Sequence, residues 1–495
     1  MNDTSSSQFR YQAVEEHIQG LIASGTLAPG DRLPSLRSLS THMKMSVSTI
    51  SQAYVRLEEQ GVITARPRSG FFVAQRTRKL PPFAGNPRPA LEPTTVNRNQ
   101  LIRTVLEAVG DTSLVPFAII SPAKELLPHK ALSKLMRQVV ARDDGTSLTY
   151  APCEGDLRLR RQICFRSIDA GISVLPQDIL VTFGAMEALN IGLRTVTRPG
   201  DTVLVQSPTY FCFLQLLENC GLRAIEIGSD PRTGVDPKDI ATALDTFDIK
   251  AGILSSNFNN PDGSLTPEPA KQAIAQLFEE RSIPLIEDDV SGELHFQNTR
   301  PGTYKQHDRT GNVIYCSSFS KTLAPGYRVG WMIPGKRHDQ ALEIKATSSV
   351  CSATPTQLVV AAYLESGQYD RHLRRLRQAI AKQMKTLQLA VTEHFPKGTR
   401  ATRPVGGAVL WVELPGNIDA VDYFFRAKKA GIGIAPGPIF STQDNYNSFI
   451  RLSCDGIWNA AMEKGIAKLG TIAADMAGEN QDMDQVQDQR SKQQT

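Results

Sequence analysis

The sequence predicts two units of different class: a small helical unit closed by a basic hairpin, then a large α/β unit built on a mostly parallel sheet. Three observations carry this. Charge is uneven: the 495-residue chain has net charge +5, and residues 8–80 hold ten Lys/Arg against five acids, so the rest sums to zero. Tyr11, Val14, Ile18, Leu21 and Ile22 recur at helical spacing near the start. From about residue 100, short apolar runs alternate with helical stretches, the pattern of a parallel sheet covered on both faces. With 41% hydrophobic and 21% charged residues, global disorder is excluded. No run of 18 apolar residues occurs, so no membrane-spanning helix is expected. Met1 to Ser7 is polar and lacks a signal-peptide core, which points to the cytoplasm. The seven cysteines are scattered without a CxxC, which argues against a disulfide framework or a metal cluster.

Residues 8–74 are expected to form the first unit. Gly25 and Pro29-Gly30 end the first helix. Ser35 caps a second, with Leu36, Leu39 and Met43 inward; Ser46 caps a third, with Val47, Ile50, Tyr54 and Leu57 inward and Gly61 closing it. Val62–Ala65 and Phe71–Val73 are strand-like and joined by Arg66-Pro67-Arg68-Ser69-Gly70. Two helices across a tight turn plus a hairpin make a winged helix-turn-helix. Ser46, Ser48, Thr49 and Gln52 on the third helix suit base edges and phosphates, Arg66 and Arg68 sit on the wing, and Arg37 lies beside the turn. DNA is the expected partner.

Residues 75–98 carry five prolines and predict a stiff linker. Residues 99–475 form the large unit, with strands at Ile179–Phe183, Thr202–Gln206, Ala224–Ile227, Ala251–Ser255, Ile283–Glu287, Asn312–Ser317 and Val329–Ile333. After about 370 the pattern shifts to a smaller α+β subdomain with strands at Val409–Glu413, Gly431–Ala435 and Phe449–Ser453. Residues 476–495, rich in Gln and Asp, read as a disordered tail.

The first unit resembles the winged-helix domain of GntR-type repressors, on Gly25-Thr-Leu-Ala-Pro-Gly-Asp-Arg-Leu-Pro-Ser-Leu-Arg-Ser-Leu-Ser40, Val47-Ser-Thr-Ile and Leu57-Glu-Glu-Gln-Gly61. The resemblance implies operator contacts from Arg37, the 46–52 turn and the 66–70 wing. Val47 and Ser51 stand where some relatives carry arginines.

In the large unit, Ser318-Phe-Ser-Lys-Thr-Leu-Ala-Pro-Gly-Tyr-Arg328-Val-Gly-Trp places a lysine after a strand, between hydroxyls, with an arginine seven residues on. A lysine forms a Schiff base with an aldehyde only when deprotonated, which nearby cations and desolvation favour. Ser318, Ser320 and Arg328 could hold a phosphate beside it. Asp288, ending a strand, could pair with a pyridinium nitrogen. Asn260 could donate to a ring oxygen. Gly184 and Ala185 open a helix whose free amides suit a phosphate. Tyr210 could stack on a ring. Each feature alone is more often a turn, a core residue or a solvated charge.

Together these segments resemble fold-type I aminotransferases of the aspartate aminotransferase class, over about 115–470. The resemblance implies pyridoxal 5'-phosphate as cofactor, with Lys321 forming the covalent link, Asp288 on the pyridine nitrogen, Asn260 on the ring oxygen and Tyr210 stacking. Gly184, Ala185, Ser318, Ser320 and Arg328 would hold the phosphate. Tyr150, in Tyr150-Ala-Pro-Cys-Glu-Gly155-Asp-Leu-Arg-Leu-Arg160, would reach the partner subunit's phosphate, which implies a homodimer. Arg451 would take a substrate carboxylate. Two departures stand out. Ser291 occupies the position where the family usually has a tyrosine that donates to the ring oxygen, and Met186 sits where a polar residue is common.

A winged helix, a Pro-rich linker and a whole aminotransferase-like domain is the layout of MocR-type regulators, a GntR subfamily. That resemblance implies a transcription regulator whose dimer binds two DNA half-sites and senses an amino compound or the cofactor itself. Amine exchange at Lys321 would bias closure of the smaller subdomain and the spacing of the winged helices. Two alternatives stay open: an active aminotransferase of an amino acid and a 2-oxo acid, and a cofactor-free dimerisation scaffold.

Overall fold

The computed structural model describes residues 4–493 apart from 29, 60–61, 67–68, 74–79, 97–98, 119, 143–144, 417 and 455. The chain divides into two compact units, Met1–Lys79 and Leu80–Thr495.

In the first unit, α1 (Thr4–Ala23), α2 (Leu36–Met43) and α3 (Val47–Glu59) precede a hairpin of β1 (Ile63–Arg66) and β2 (Gly70–Val73). α1 stops just before Gly25, whose φ of +77° suits glycine. Ser35 Oγ accepts the Ser38 N–H at 3.1 Å and Ser46 Oγ the Thr49 N–H at 3.2 Å, so both expected caps form. Tyr11, Val14, Ile18, Leu39, Ile50, Tyr54 and Leu57 close into one core with Ile63 and Val73 of the hairpin. The buried Tyr54 hydroxyl donates to the Pro34 carbonyl at 2.9 Å, tying α3 to the segment before α2. Val47 departs from the expected inward stripe. It is 45% exposed, at the first helical position of α3. Gly61 and Arg68 lie outside the described residues.

The large unit begins earlier than residue 99. Residues 80–96 lie along it as a strap. Asn86 Nδ2 donates to the Ser229 carbonyl at 2.7 Å and to Asp262 at 3.1 Å, and Asn86 Oδ1 accepts from Trp411 Nε1 at 3.1 Å. Thr94–Thr95 pairs with the strand Arg223–Asp230 at the sheet edge. Proline prevents regular pairing over most of this stretch, and at Ala90 the Gln443 side chain bonds both backbone groups instead, each at 2.8 Å.

The main sheet runs Thr94–Thr95, Arg223–Asp230, Thr202–Ser207, Ile249–Ser255, Leu285–Asp288, Val313–Ser318, Gly330–Ile333, Leu180–Thr182. Its five middle strands from Arg223–Asp230 to Val313–Ser318 are mutually parallel. Gly330–Ile333 is antiparallel to both neighbours, so Leu180–Thr182 points the same way as the parallel set. The strands are buried on both faces, as their continuous apolar runs require.

The smaller subdomain is a four-stranded sheet ordered Arg400–Ala401, Val409–Glu413, Phe449–Ser453, Ala435–Pro436. Residues from before the main sheet join it: Ile102, Val105 and Phe117 enter its core, and Val115–Pro116 pairs with Ile432–Gly433. The expected tail is helical, since Ala460–Gln493 is one helix; its Ala, Gln, Met and Lys content favours that state. Among the described residues no helix is long and apolar enough to cross a membrane.

Candidate functional site

Parallel strands deliver their C-terminal ends to one edge of the sheet, which is where α/β folds place ligands. Here four such ends bring Gly184-Ala185, Ser255–Asn260, Asp288–Ser291 and Ser318–Lys321 around one cavity of about 300 Å3. Lys321, Asp288, Asn260, Tyr210, Ala185, Ser318, Ser320, Arg328 and Arg451 all line it.

Glu287, Asp288 and Asp289 separate because successive strand residues face opposite ways. Glu287 is buried and accepts the backbone N–H groups of Tyr304 and Lys305, each at 2.8 Å. Asp289 is buried in a network with Arg300, the Asn257 amide at 2.8 Å and the Tyr315 hydroxyl at 2.8 Å. Asp288 faces the cavity. Burial, then repulsion from Asp289, pushes its carboxyl up to about 7. Its Oδ1 is buried and accepts no hydrogen bond among the described residues.

At the other end of the cavity lies a donor cradle. Ser318 and Ser320 hydroxyls are 2.7 Å apart, and Arg328 Nη1 donates to Ser320 Oγ at 3.2 Å. Arg328 Nη2 donates to the Phe183 carbonyl at 3.0 Å, holding the guanidinium beside the start of the helix Ala185–Val196. Gly184 has φ +78°, and a Cβ there would run into that guanidinium, so glycine is required. Lys321, in the loop after the strand Val313–Ser318, lines the same cavity, and its Nζ donates to the Ile120 carbonyl.

Arg451 is 2% exposed, on the strand Phe449–Ser453. Its Nη1 donates to Asn260 Oδ1 at 3.2 Å and its Nη2 to the Ala118 carbonyl. That contact fixes the Asn260 amide so that its NH2 remains a donor. Tyr210 caps the helix Phe211–Asn219, edge-on to Phe211 and Phe213 at 4.8 and 5.6 Å between centroids, and burial raises its phenol well above the ordinary value. Ser291 also lines the cavity, and Tyr210 is the only tyrosine among its described lining residues.

Tyr150 is not brought in: it is 85% exposed, near Leu148 at 90%. On the first unit, Arg37, Ser46, Ser48 and Gln52 are exposed on one side of α2 and α3, and Thr49 is half-buried. Arg66 ends β1; Arg68 lies outside the described residues. The sequence carries no signal for Arg300, whose partnership with Asp289 spans a loop without motif; Val47, exposed here, lies in the 46–52 turn that the resemblance places toward the operator.

The cavity residues fit pyridoxal 5'-phosphate. The lone buried acceptor at Asp288 matches a protonated ring nitrogen, and the hydroxyl–guanidinium–amide cradle matches a phosphate. Family comparison agrees with both units. Residues 10–73 match the bacterial regulatory proteins of the gntR family, and residues 121–469 match aminotransferase class I and II. An HTH-type transcriptional regulator of Escherichia coli, YjiR, is 38% identical over 90% of this chain and 94% of its own. The chain belongs to the MocR-type GntR regulators. Their large domain shares its fold with solved aminotransferases. The kynurenine aminotransferase of Pyrococcus horikoshii, solved with PMP, is 27% identical over 76% of this chain and 94% of its own, with TM-score 0.71. LysN of Thermus thermophilus, an α-aminoadipate aminotransferase complexed with N-(5'-phosphopyridoxyl)-L-leucine, is 27% identical over 76% of this chain and 95% of its own, with TM-score 0.70. A MocR-type regulator is thus a DNA reader joined to a fold-type I domain.

Proposed function

We propose that this MocR-type regulator holds pyridoxal 5'-phosphate on Lys321, senses an amino compound at that site, and reports it through the DNA occupancy of its winged helices. One observation carries the reading: a buried, unpartnered Asp288 Oδ1, a lysine and a phosphate cradle meet in one cavity. When bound, the cofactor supplies an aldehyde that exchanges amines and an electron-withdrawing ring. Lys321 would supply the amine that holds the aldehyde and that an incoming amino compound would replace. Asp288, raised to about 7 by burial, ionises when a cation faces Oδ1, and so keeps a ring nitrogen protonated. Asn260 donates its NH2 to a ring oxygen, while Arg451 orients that amide and receives a carboxylate. Binding therefore keeps all its groups.

Turnover is less well served. Ser291 replaces the usual tyrosine, and no second tyrosine lines the cavity among the described residues. Asn260 is left as the ring-oxygen donor, so sensing is favoured over transamination. Exposure of Tyr150, Leu148, Phe165 and Ile168 supports a homodimer in which Tyr150 completes the partner's phosphate cradle.

The test is chemical. Protein reconstituted with cofactor and reduced with borohydride should carry the added mass on the peptide containing Lys321. Modification elsewhere, or none, contradicts the assignment.

A further inference from the structure

The cavity contains four charged side chains among its described lining residues: Asp288, Lys321, Arg328 and Arg451. In the reading above each is already committed, to a ring nitrogen, to the aldehyde, to a phosphate and to a carboxylate. The remaining polar lining is neutral and largely engaged. Asn257 Nδ2 donates to Asp289 at 2.8 Å and its Oδ1 accepts from the buried Lys271 at 2.8 Å. Ser318 and Ser320 belong to the cradle.

Apart from Asn260 and the Ala118 carbonyl, which Arg451 contacts, most of the remaining lining of the cavity is apolar. Phe211, Leu294 and Ala408 belong to one core cluster with Trp411 and Leu452, and Ile120 packs against it. Trp411 lies directly across the ladder from Arg451, and the Phe440 ring sits 5.5 Å from the guanidinium carbon. Leu106, from the helix Asn99–Gly110, reaches the cavity while 41% exposed.

We infer that this site selects an amino compound with one carboxylate and an uncharged, apolar side chain, recognised by Arg451 at one end and by Leu106, Ile120, Phe211, Leu294 and Ala408 along the rest. The inference rests on the reading of Lys321 and Arg451 above. A second carboxylate on the side chain would leave water without gaining a cation. A side-chain ammonium would gain no carboxylate, since Asp288 faces the ring nitrogen. An apolar side chain loses only water.

The test is a spectral titration of cofactor-loaded, full-length protein with leucine, methionine and phenylalanine, against aspartate, glutamate, lysine and n-butylamine. The apolar monocarboxylates should perturb the absorbance at concentrations about tenfold or more below those needed for aspartate, glutamate or lysine. Arg451→Ala should weaken leucine by about tenfold more than it weakens n-butylamine; the amine reports the effect of releasing the Asn260 amide and the difference reports carboxylate recognition. Leu106→Arg, at a partly exposed position that tolerates a long side chain, should improve glutamate about tenfold. Loaded wild type that answers glutamate or lysine as readily as leucine overturns the inference alone. An unimproved Leu106→Arg removes Leu106 from the side-chain pocket. Protein that takes up no cofactor, or whose spectrum no amine perturbs, overturns the sensing reading and the inference with it.

Discussion

The reading helix α3 and the cavity solve opposite problems. At α3 the groups proposed to meet DNA, Ser46 at its cap and Ser48 and Gln52 on the helix, stand in water, and the fold only has to present them. Ser46 is partly occupied locally, 2.8 Å from Ser48 Oγ and 2.7 Å from Thr49 Oγ1, which any phosphate or base edge must displace. In the cavity several functional groups are partly withdrawn from water: the Asp288 Oδ1 is buried without a partner and Asn260 is oriented by the buried Arg451, while the exposed Arg328 is anchored to Phe183. The contrast teaches where each function is vulnerable. Substitutions at the exposed positions Ser48 and Gln52 should change DNA affinity with little effect on stability. Substitutions in the cavity change stability and ligand binding together, and with a sign that depends on occupancy.

The largest effect belongs to Lys321. Lys321→Ala should abolish the borohydride-reducible link altogether, while the cradle and Asp288 retain some cofactor by non-covalent contacts; peptide mass and absorbance read the two separately.

Asp288 comes next, and its sign is diagnostic. Its carboxyl titrates near 7 in the folded chain against 3.8 for the ordinary group. Between these values the folded state binds the proton that the unfolded state has lost, so this group's contribution falls as pH rises across that window. In cofactor-free protein at pH 8, Asp288→Asn should therefore raise stability, by up to about 4 kcal/mol. In loaded protein the same substitution should weaken cofactor affinity by about tenfold or more. Denaturant melts of both forms check this, and destabilisation in the free form would break the comparison.

Asn86 sharpens it. It bonds Ser229, Asp262 and the buried Trp411, so Asn86→Ala should cost about 1–3 kcal/mol in the large unit's thermal unfolding. A change near zero would mean the strap only rests on the surface. The smallest effect is at Arg37. Arg37→Ala should lower the salt slope of DNA binding by about one while shifting stability by less than about 0.5 kcal/mol. An unchanged slope would remove Arg37 from the DNA face.

Much of this was legible in the sequence where local chemistry and tertiary structure agree. The caps at Ser35 and Ser46, the buried strands and the run from Ser318 to Arg328 each carry a short-range signal that the fold preserves. The cavity could be anticipated because parallel strands must end together. Three features were not legible. The strap at 80–96 reads as linker because its prolines break periodicity, and its order comes from distant partners. Val47 reads as core because periodicity says which face a residue occupies, not whether the first turn of a helix is covered. The Arg300–Asp289 pairing joins residues with no pattern between them, and so emerges only from the folded chain.

The most direct test of the central claim couples the two regions. A DNA fragment selected from random sequence by the full-length chain is titrated with cofactor-loaded protein, with and without saturating leucine, for wild type and Lys321→Ala. The account predicts that leucine shifts wild-type affinity by about threefold or more, a coupling near the low end of ordinary allosteric values, and leaves Lys321→Ala unmoved. Identical wild-type DNA affinity at a leucine concentration that has already changed the absorbance would contradict it.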